Sequence, residues 1–502
     1  MNSLRHFPLG APFPASPHAV ASSLPTMADV RGYEEKDPRV LDALRSGYPR
    51  FVVHAYVGEL IDLFLEREGL VGRSAVLVVK PRAVQDLLKH VDAGAAVAVV
   101  AVDDGLQLVH CDASNSDLVH AVRKYVQHVG CGVSSRLAED LLVRLGRLPS
   151  AHAESLVEVN AAAEVEGRLA ELYGCRDSDL LVCSCGMSAF YAGFRAVQAV
   201  QRRLGRTHWI QLGWLYLDSG CILKEFLDDG ETLEYCYDVN DTDALIEKLS
   251  SLGGTLAAVV VECPTNPLVQ ICDLKRVAEV VHANGGALIV DPTVASLYNV
   301  DVLPYADVLV NSLTKYASQE GDIMIGSLAL NAQSPYYKDL RSEISDFHVP
   351  PYRRDLQRLA YEMRDAPEVV AEMNRNAARL VEFLRSHPAV GRVYYASASP
   401  HYAEVARGAE SGGAMIAIEL VGSMERFYDK VAVLKGPSFG TRFTLLSPFM
   451  YLAHYDLVTE GKGRAFLREA GLDPELIRIS VGAEPYGEIE AVFAEALDYS
   501  LL

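Results

Sequence analysis

The chain lacks the surplus of basic residues that proteins binding nucleic acids or anionic membranes need. Its 502 residues include 46 lysines and arginines against 66 aspartates and glutamates, which gives a formal net charge of −20. Polyphosphate chains and anionic lipid surfaces are bound by basic faces. The charge balance therefore argues against a nucleic-acid or membrane partner.

The sequence also lacks long apolar runs and a cysteine framework. Its most apolar window, AGAAVAVVAV at 93–102, is far shorter than the ~20 residues that span a bilayer, so no transmembrane segment is expected. The nine cysteines are an odd number, which favours reduced thiols and a cytoplasmic location. Cys183 and Cys185 have no second ligand pair at metal spacing, and no metal site is expected.

Two common nucleotide-binding patterns are missing as well. No P-loop pattern occurs, and GCGVSS at 130–135 lacks both the third glycine and the preceding strand of a dinucleotide-binding fingerprint. Neither pattern therefore offers an alternative to the ligand site that the strand ends predict.

Changes in composition and in hydrophobic periodicity along the chain predict four regions. Residues 1–50 are rich in proline and turn formers without a sustained period, which indicates an extended arm. Residues 51–150 alternate helical patterns with the short strands AVLVVKP, AVAVVAVDD and LQLVHCD, which predicts a small accessory α/β module. Two larger regions follow, at 151–345 and 346–502.

The third region carries strand-like runs that are apolar at nearly every position. These are LLVCSCG, HWIQLG, LAAVVVECP, ALIVDPT, ADVLVNS and GSLALN. Strands of this kind are buried on both faces, so a mainly parallel sheet wrapped by helices is predicted. The fourth region opens with the helical pattern VVAEMNRNAARLVEFLRSH and continues with GAMIAIEL and LIRISVG, as expected of a smaller α/β domain.

Polar residues follow the predicted parallel strands where each strand ends, which is where ligands bind in such sheets. They are Gly186 and Met187 opening a helix, Glu262 and Asn266, Asp291, and Asn311, Ser312, Thr314 and Lys315. A lysine amine can bind pyridoxal phosphate as a Schiff base, and a carboxylate can keep the pyridine nitrogen protonated. Hydroxyls and a helix N-terminus suit the phosphate. The set therefore predicts a pyridoxal-phosphate site.

Each member alone has an ordinary explanation. A lysine at a strand end is usually solvated, Asp291 could open an Asx turn, and Gly186 could serve close packing. A lysine-dependent aldolase on a barrel is an alternative, although it would need neither a phosphate site nor Asp291. Another is a non-catalytic cofactor-binding protein that acts through partners, with residues 51–150 as its interaction surface. The order and spacing of the residues favour the cofactor site.

At these residues the sequence resembles the Cys/Met-metabolism pyridoxal-phosphate enzymes. The likeness is closest to the longer fungal-type cystathionine γ-synthase-like proteins, through SLPT, GYEE, GYPRF, NVDVLPYADV, LTK and GPSFGT. It covers residues about 17–52 and 155–490. The resemblance implies fold type I of the pyridoxal-phosphate enzymes, as in aspartate aminotransferase. A large, mainly parallel domain and a smaller C-terminal α/β domain would then carry an extra N-terminal module.

The resemblance also implies roles for single residues. Lys315 would bind pyridoxal 5'-phosphate and move protons, and Asp291 would pair with the pyridine nitrogen. Asn266 would lie near the ring hydroxyl, while Arg478 would bind the substrate α-carboxylate with Ser438 close by. The phosphate would be held by Gly186, Met187, Ser312 and Thr314.

Tyr48 and Arg50 in GYPRF match a family pair that reaches the phosphate of the partner subunit. A homodimer or homotetramer with shared active sites is therefore expected.

Three departures from the family pattern stand out. Leu212 occupies the place of the first tyrosine of YGGTY, which usually stacks on the cofactor ring, so Trp214 or Tyr216 is the expected substitute. Pro292 replaces asparagine in VDNT. Arg442 stands where a neutral residue is commoner; a surface or interdomain salt bridge is the first interpretation, and recognition of an anionic leaving group or nucleophile is the second.

The expected reaction is γ-replacement on an O-acyl-homoserine, with cysteine or another nucleophile. The alternative within enzymes is a β- or γ-lyase of sulfur amino acids that uses the same residues. The module at 51–150 has no counterpart in the shorter bacterial enzymes, and only a structural or assembly role is expected for it.

Overall fold

The N-terminal arm is partly helical. The structure, a computed structural model, describes residues 3–49, 52–91 and 94–502. The arm contains the paired strands β1 (Pro12–Phe13) and β2 (Ala21–Ser22) and the helices α1 (Met27–Glu34) and α2 (Pro38–Leu41). The prediction of an extended arm was therefore wrong for α1 and α2.

Helix α1 forms because its first turn is capped from both sides. The Thr26 hydroxyl accepts a hydrogen bond from the Asp29 amide, and the Asp29 carboxylate accepts one from the Thr26 amide. Met27, Val30 and Tyr33 are buried on one face. Eight residues are too few to show a sustained period in the sequence, which is why the helix was missed.

Residues 52–150 form the accessory module. Its elements are α3 (Ala55–Arg67), β3 (Arg73–Val78), α4 (Pro81–His90), β4 (Val97–Ala101), β5 (Gln107–Asp112), α5 (Ser116–Val129) and α6 (Ser135–Arg144). The three strands make an antiparallel sheet in the order β3-β5-β4. This confirms the predicted extra α/β module.

A seven-stranded sheet builds the large domain. Its strands are β6 (Leu180–Cys183), β7 (His208–Leu212), β8 (Thr232–Cys236), β9 (Leu256–Glu262), β10 (Ala287–Asp291), β11 (Val308–Ser312) and β12 (Gly326–Leu330). Their order is β6-β12-β11-β10-β9-β7-β8, and only β12 runs antiparallel to its neighbours. All seven residues of β9 are buried. The mainly parallel sheet is confirmed, and its open order excludes the barrel alternative.

Helices cover both faces of this sheet. They are α7 (Ala161–Tyr173), α8 (Gly186–Arg203), α9 (Leu217–Glu225), α10 (Thr242–Leu252), α11 (Leu274–Ala283), α12 (Tyr337–Phe347) and α13 (Arg353–Glu362). On one face, Tyr125 and Val129 of α5 belong to the same hydrophobic cluster as Phe190 of α8. The accessory module is therefore packed directly onto the large domain.

The C-terminal domain is a five-stranded sheet with helices. Its elements are α14 (Ala366–Ser386), β13 (Val390–Tyr395), α15 (Tyr402–Val405), β14 (Met415–Leu420), α16 (Met424–Lys430), β15 (Leu434–Lys435), β16 (Leu445–Pro448), α17 (Phe449–Ala453), α18 (Tyr455–Thr459), α19 (Gly461–Glu469), β17 (Ile477–Ser480) and α20 (Tyr486–Ser500). The strand order is β13-β14-β17-β16-β15. Among the helices of residues 3–49, 52–91 and 94–502, none has both the length and the apolar character of a membrane span.

Candidate active site

A cavity of about 1600 Å³ opens at the carboxyl ends of β9, β10 and β11. Most of the residues predicted from the sequence line it: Tyr48, Gly186, Met187, Tyr216, Asn266, Asp291, Ser312, Thr314, Lys315 and Arg478. Ser438 contacts three of them: Tyr48, Lys315 and Arg478. Arg50 lies outside the described residues. The structure thus brings the predicted set together, while the role of each residue stays a prediction.

Lys315 follows β11 and is buried, with only 9% of its surface exposed. Its Nζ donates a hydrogen bond to the Tyr48 hydroxyl and lies 3.3 Å from the Ser438 Oγ. The Tyr48 and Ser438 hydroxyls are themselves 2.7 Å apart. Burial, helped by the nearby charge of Arg478, lowers the pKa of Lys315 well below its usual value. The amine is therefore suited to act as a neutral nucleophile and base.

Asp291 lies beside a second carboxyl group, that of Glu262. The two residues are register partners at the ends of β10 and β9. Burial raises the pKa of Asp291 to about 6, and burial together with the charge of Asp291 raises the pKa of Glu262 well above its usual value. The Thr293 amide donates to Asp291 Oδ1 at 2.8 Å. Burial and mutual repulsion therefore make both carboxyl groups hold a proton more tightly than isolated carboxyl groups would.

The N-terminus of α8 forms an anion cradle with the end of β11. A Cβ atom added to Gly186 would come within 2.8 Å of the Ser312 Cβ, so only glycine permits this approach. The Thr314 hydroxyl is used locally, because it donates to the Ile325 carbonyl at 3.2 Å and accepts from the Ile325 amide at 3.1 Å. Of the two predicted hydroxyls, Ser312 is the one beside the helix N-terminus.

Arg478 on β17 extends into the cavity from the C-terminal domain. Its guanidinium donates to Asn266 Oδ1 at 2.9 Å and to the Ser438 carbonyl at 3.1 Å. The rings of Phe439 and Phe449 lie 5.0 and 4.9 Å from its central carbon. Burial lowers the pKa of Arg478 to about 10, so the group is still cationic at neutral pH. A fixed, desolvated guanidinium can bind a carboxylate in two-pronged fashion.

The two candidates for the ring-stacking position differ in location. Tyr216 lines the cavity; its amide donates to Glu262 Oε1 at 2.5 Å and its hydroxyl donates to Asp218 Oδ2 at 3.2 Å. Trp214 instead stacks on Tyr237, with 4.6 Å between ring centroids. Tyr216 is therefore the better placed substitute for the tyrosine missing at Leu212.

Arg442 forms a salt bridge with Glu320 and lies 3.8 Å from Asp365. Its side chain is 40% exposed, and it is not among the residues that line the cavity. The geometry matches the salt-bridge interpretation and gives no support to recognition of an anionic group.

Tyr48 lies in the site of its own chain in this structure, beside Lys315. The resemblance had placed it, with Arg50, at the phosphate of a partner subunit. Identical chains can exchange an identical segment and keep the same contacts. The contribution of the arm to a partner's site therefore stays a prediction.

Sequence reasoning missed the groups that support these residues. The two phenylalanines around Arg478 gave no usable signal, because they are distant from it in sequence. Asp218 is only two positions from Tyr216, but neither the local sequence nor a motif indicated their contact. Glu262 was noted at a strand end, but its pairing with Asp291 depends on which strands are adjacent.

The residues present fit pyridoxal phosphate. The glycine cradle and helix N-terminus suit its phosphate, and Lys315 suits its aldehyde. Two buried polar atoms in this region, Glu262 Oε2 and Asn311 Nδ2, have no hydrogen-bond partner among the described residues. Polar atoms without partners at a strand end are expected where a ligand completes the network.

Comparison with known proteins agrees with this reading. The profile of the family described as "Cys/Met metabolism PLP-dependent enzyme" matches residues 157–498. A relative that is 37% identical over 493 residues, covering 97% of each chain, is the L-2-amino-4-chloropent-4-enoate dechlorinase/desaturase of Streptantibioticus cattleyicolor. The cystathionine gamma-synthase of Neurospora crassa is 27% identical and covers 98% of both chains.

Solved structures show the same fold. The cystathionine gamma-lyase of Micromonospora echinospora superposes with a TM-score of 0.57 at 24% identity, covering 68% of this chain and 87% of its own. A cystathionine gamma-synthase from Xanthomonas oryzae gives a TM-score of 0.55 at 22% identity, covering 66% of this chain and 84% of its own.

Proposed function

The chain belongs to the Cys/Met-metabolism PLP-dependent enzymes, and from this premise we propose that it removes a substituent from the γ-carbon of an α-amino acid. The observation that carries the proposal is the meeting of Lys315 and Arg478 in one cavity. One buried amine with a lowered pKa lies next to one desolvated carboxylate-binding group. An amino acid held by its carboxylate at Arg478 would present its α- and β-protons to a single base.

Different residues of the chain would bind the substrate, move its protons and hold the cofactor. Arg478 binds the α-carboxylate, with Asn266 and Ser438 fixing the plane of its guanidinium. Lys315 takes the α-proton and returns protons as an acid, and the Tyr48 and Ser438 hydroxyls orient its amine. Asp291 would hold the ring nitrogen protonated. When bound, pyridoxal phosphate supplies an electron sink for the negative charge that proton removal leaves behind.

The first candidate substrate is an O-acyl-homoserine, with replacement of the acyloxy group by a thiol such as cysteine or by another nucleophile. The Neurospora synthase supports this candidate, since the likeness to it extends over 98% of both chains and includes the accessory module. The same residues would serve a β- or γ-lyase in which water completes the cycle.

The second candidate is an amino acid that carries chlorine on C4, its γ-carbon. The dechlorinase/desaturase is 37% identical over 97% of each chain, against 27% for the synthase.

Product analysis decides between these candidates. The holoenzyme is mixed separately with O-acetyl-homoserine, O-succinyl-homoserine and 2-amino-4-chloropent-4-enoate, each with and without cysteine. Cystathionine would show replacement, ketobutyrate with ammonia would show elimination, and free chloride with a more unsaturated amino acid would show dechlorination. If all three substrates are recovered unchanged while the cofactor is bound, the proposed γ-chemistry is wrong.

The proposed assembly is a homodimer or homotetramer with shared sites. Tyr48 and Arg50 would be supplied by the partner, so that the contacts of Tyr48 with Lys315 and Ser438 form between chains. The resemblance in GYPRF supports this arrangement.

A further inference from the structure

The accessory module contacts the active site through one helix, α5. Gln127 lies near the end of α5, and its Nε2 donates a hydrogen bond to Asp218 Oδ1 at 3.0 Å. Asp218 is in the first turn of α9 and only 2% exposed. Its other carboxylate oxygen accepts the hydrogen bond from the Tyr216 hydroxyl at 3.2 Å. Gln127, Asp218 and Tyr216 thus form a chain of hydrogen bonds from the accessory module to the wall of the cavity.

Tyr216 is held at both ends. Its amide is bound to Glu262, and its hydroxyl is bound to Asp218. A tyrosine side chain has only two rotatable bonds, so fixing the amide and the hydroxyl sets the direction in which the ring extends from the backbone. The Tyr216 ring lines the same cavity as Lys315 and Asp291.

His128, the other polar residue of α5 at this point, is a weaker partner for Asp218. Its Nε2 lies 3.7 Å from Asp218 Oδ1, beyond hydrogen-bond distance. Burial lowers the pKa of His128, which leaves the imidazole neutral at neutral pH. The Gln127 amide is therefore the module's hydrogen-bond donor to this carboxylate.

Helix α5 also ends beside the anion cradle, which is formed by the N-terminus of α8 and the end of β11. Gly130, directly after α5, has a positive φ of 65°, and its carbonyl accepts a hydrogen bond from the Ser184 hydroxyl at 2.8 Å. A Cβ atom at Gly130 would collide with the Cys185 Sγ and lie 2.8 Å from the Ser188 amide nitrogen. The C-terminal end of α5 thus contacts both Asp218, which binds the Tyr216 hydroxyl, and the N-terminus of α8.

We propose that the accessory module is a positioning element of the active site, in which Gln127 orients Asp218 and Asp218 fixes the Tyr216 ring at the cofactor position. The inference deepens the proposed function and rests on it. It assigns a specific role to residues 52–150, for which the sequence predicts only a structural or assembly role.

The test measures bound pyridoxal phosphate without any substrate, so it does not depend on the γ-chemistry. Circular dichroism in the cofactor's visible band reports the asymmetry of its surroundings, and titration of the apo-protein with pyridoxal phosphate gives the dissociation constant. The variants are Gln127→Leu, Tyr216→Phe and the double variant. Lys124→Met is the matched control, because Lys124 joins α5 to Glu225 of α9 without touching Asp218.

Each single variant should weaken the dichroic band and raise the dissociation constant about 2- to 10-fold, as expected for one lost hydrogen bond. The double variant should stay within about 2-fold of Tyr216→Phe, because both changes break one chain of contacts. The control should stay within about 2-fold of the unaltered protein.

Three results would overturn the proposal: a Gln127→Leu protein with an unaltered band and affinity, fully additive effects in the double variant, or an equal loss in Lys124→Met. If Gln127→Leu does not fold, Asp218→Asn decides, since it keeps the volume of the side chain. An unaltered dichroic band in Asp218→Asn would contradict the proposal, and a weakened band with a higher dissociation constant would support it. A protein that binds the cofactor but leaves all γ-substituted amino acids unchanged would contradict only the proposed function.

Discussion

Glu262 and Asp291 face each other across neighbouring strands, and their carboxyl groups cannot both be ionised at low cost. Glu262 is 4% exposed, and its pKa is raised well above the usual range by burial and by the charge of Asp291. Asp291 has its pKa raised by burial to about 6. We expect the proton of the pair to lie on Glu262 and the negative charge on Asp291, where the pyridine nitrogen is expected, and two predictions follow from this division.

Glu262→Gln should bind pyridoxal phosphate within about 3-fold of the unaltered protein. Glutamine is neutral, like the protonated acid, and its carbonyl can still accept from the Tyr216 amide. Asp291→Asn removes the charge and should weaken the cofactor by at least about 10-fold. Titration of the apo-proteins compares the two. Equal losses in both variants would contradict the assignment of the charge to Asp291.

The stability of the apo-protein should depend on Asp291 and pH. The pKa of Asp291 is about 6 in the folded chain against 3.8 as reference, so the folded state binds this proton more tightly. Stability therefore falls as pH rises from about 4 to above 6. Apo Asp291→Asn should exceed the unaltered apo-protein by about 1–3 kcal/mol at pH 8 and match it near pH 4. Thermal unfolding across this range measures the difference; parallel curves would refute the prediction.

Lys315→Ala should fold normally and lose at least about 10³-fold in turnover, because the variant lacks the buried amine that would bind the cofactor covalently and move the α-proton. Borohydride reduction followed by peptide mapping should label Lys315 in the unaltered protein. The buried Lys435, whose Nζ donates to the carbonyls of Pro25 and Tyr428, serves as the internal control and should stay unlabelled. Label at Lys435, or turnover near normal in the variant, would end this assignment.

Arg478→Ala should weaken amino-acid binding by about 2–5 kcal/mol while the cofactor's absorbance is kept, since a desolvated carboxylate partner is lost. Arg442→Ala is the matched control. Its salt bridge with Glu320 is partly exposed and should contribute no more than about 1 kcal/mol. Spectral titration with an unreactive amino acid measures both affinities. Cofactor loss with unchanged substrate affinity would show that the role of Arg478 is wrongly assigned.

The sequence predicted those parts of the molecule whose signals are local or periodic. The apolar strand-like runs predicted the parallel sheet. The polar residues after these runs predicted the cavity lining, because parallel strands end at one edge of the sheet. Pairings between distant segments were not predictable. Gln127 and Asp218 are 91 positions apart and meet only because α5 packs beside α9. Helix α1 was missed because its eight residues are too few to show a period and its apolar face is buried against the C-terminal domain.

Gly130→Ala should loosen the cofactor by disturbing the phosphate cradle. The new Cβ would press on Cys185 and on the Ser188 amide, and the residue would be strained at its positive φ. Gly146→Ala separates the two effects, because Gly146 also has a positive φ, 71°, but nothing within 4 Å of an added Cβ. Both should lose about 1 kcal/mol of stability from the backbone, while only Gly130→Ala should raise the cofactor's dissociation constant. An equal affinity in both variants would contradict the cradle argument.

Variants of Tyr48 test whether residues from two chains form one active site. Its hydroxyl contacts Lys315 and Ser438, so Tyr48→Ala and Lys315→Ala homo-oligomers should both be poor enzymes. In a mixed dimer of the two variants, the chain that keeps Lys315 lacks its own Tyr48 and can obtain one only from its partner. We expect recovery towards half of the normal activity, as the shared-site proposal requires.

Differently tagged chains allow the hetero-dimer to be purified away from both parents, and an Arg50→Ala and Lys315→Ala pair repeats the experiment. Activity no higher than that of the parents would mean that Tyr48 serves its own chain. The contact seen within one chain would then be the contact of the working enzyme.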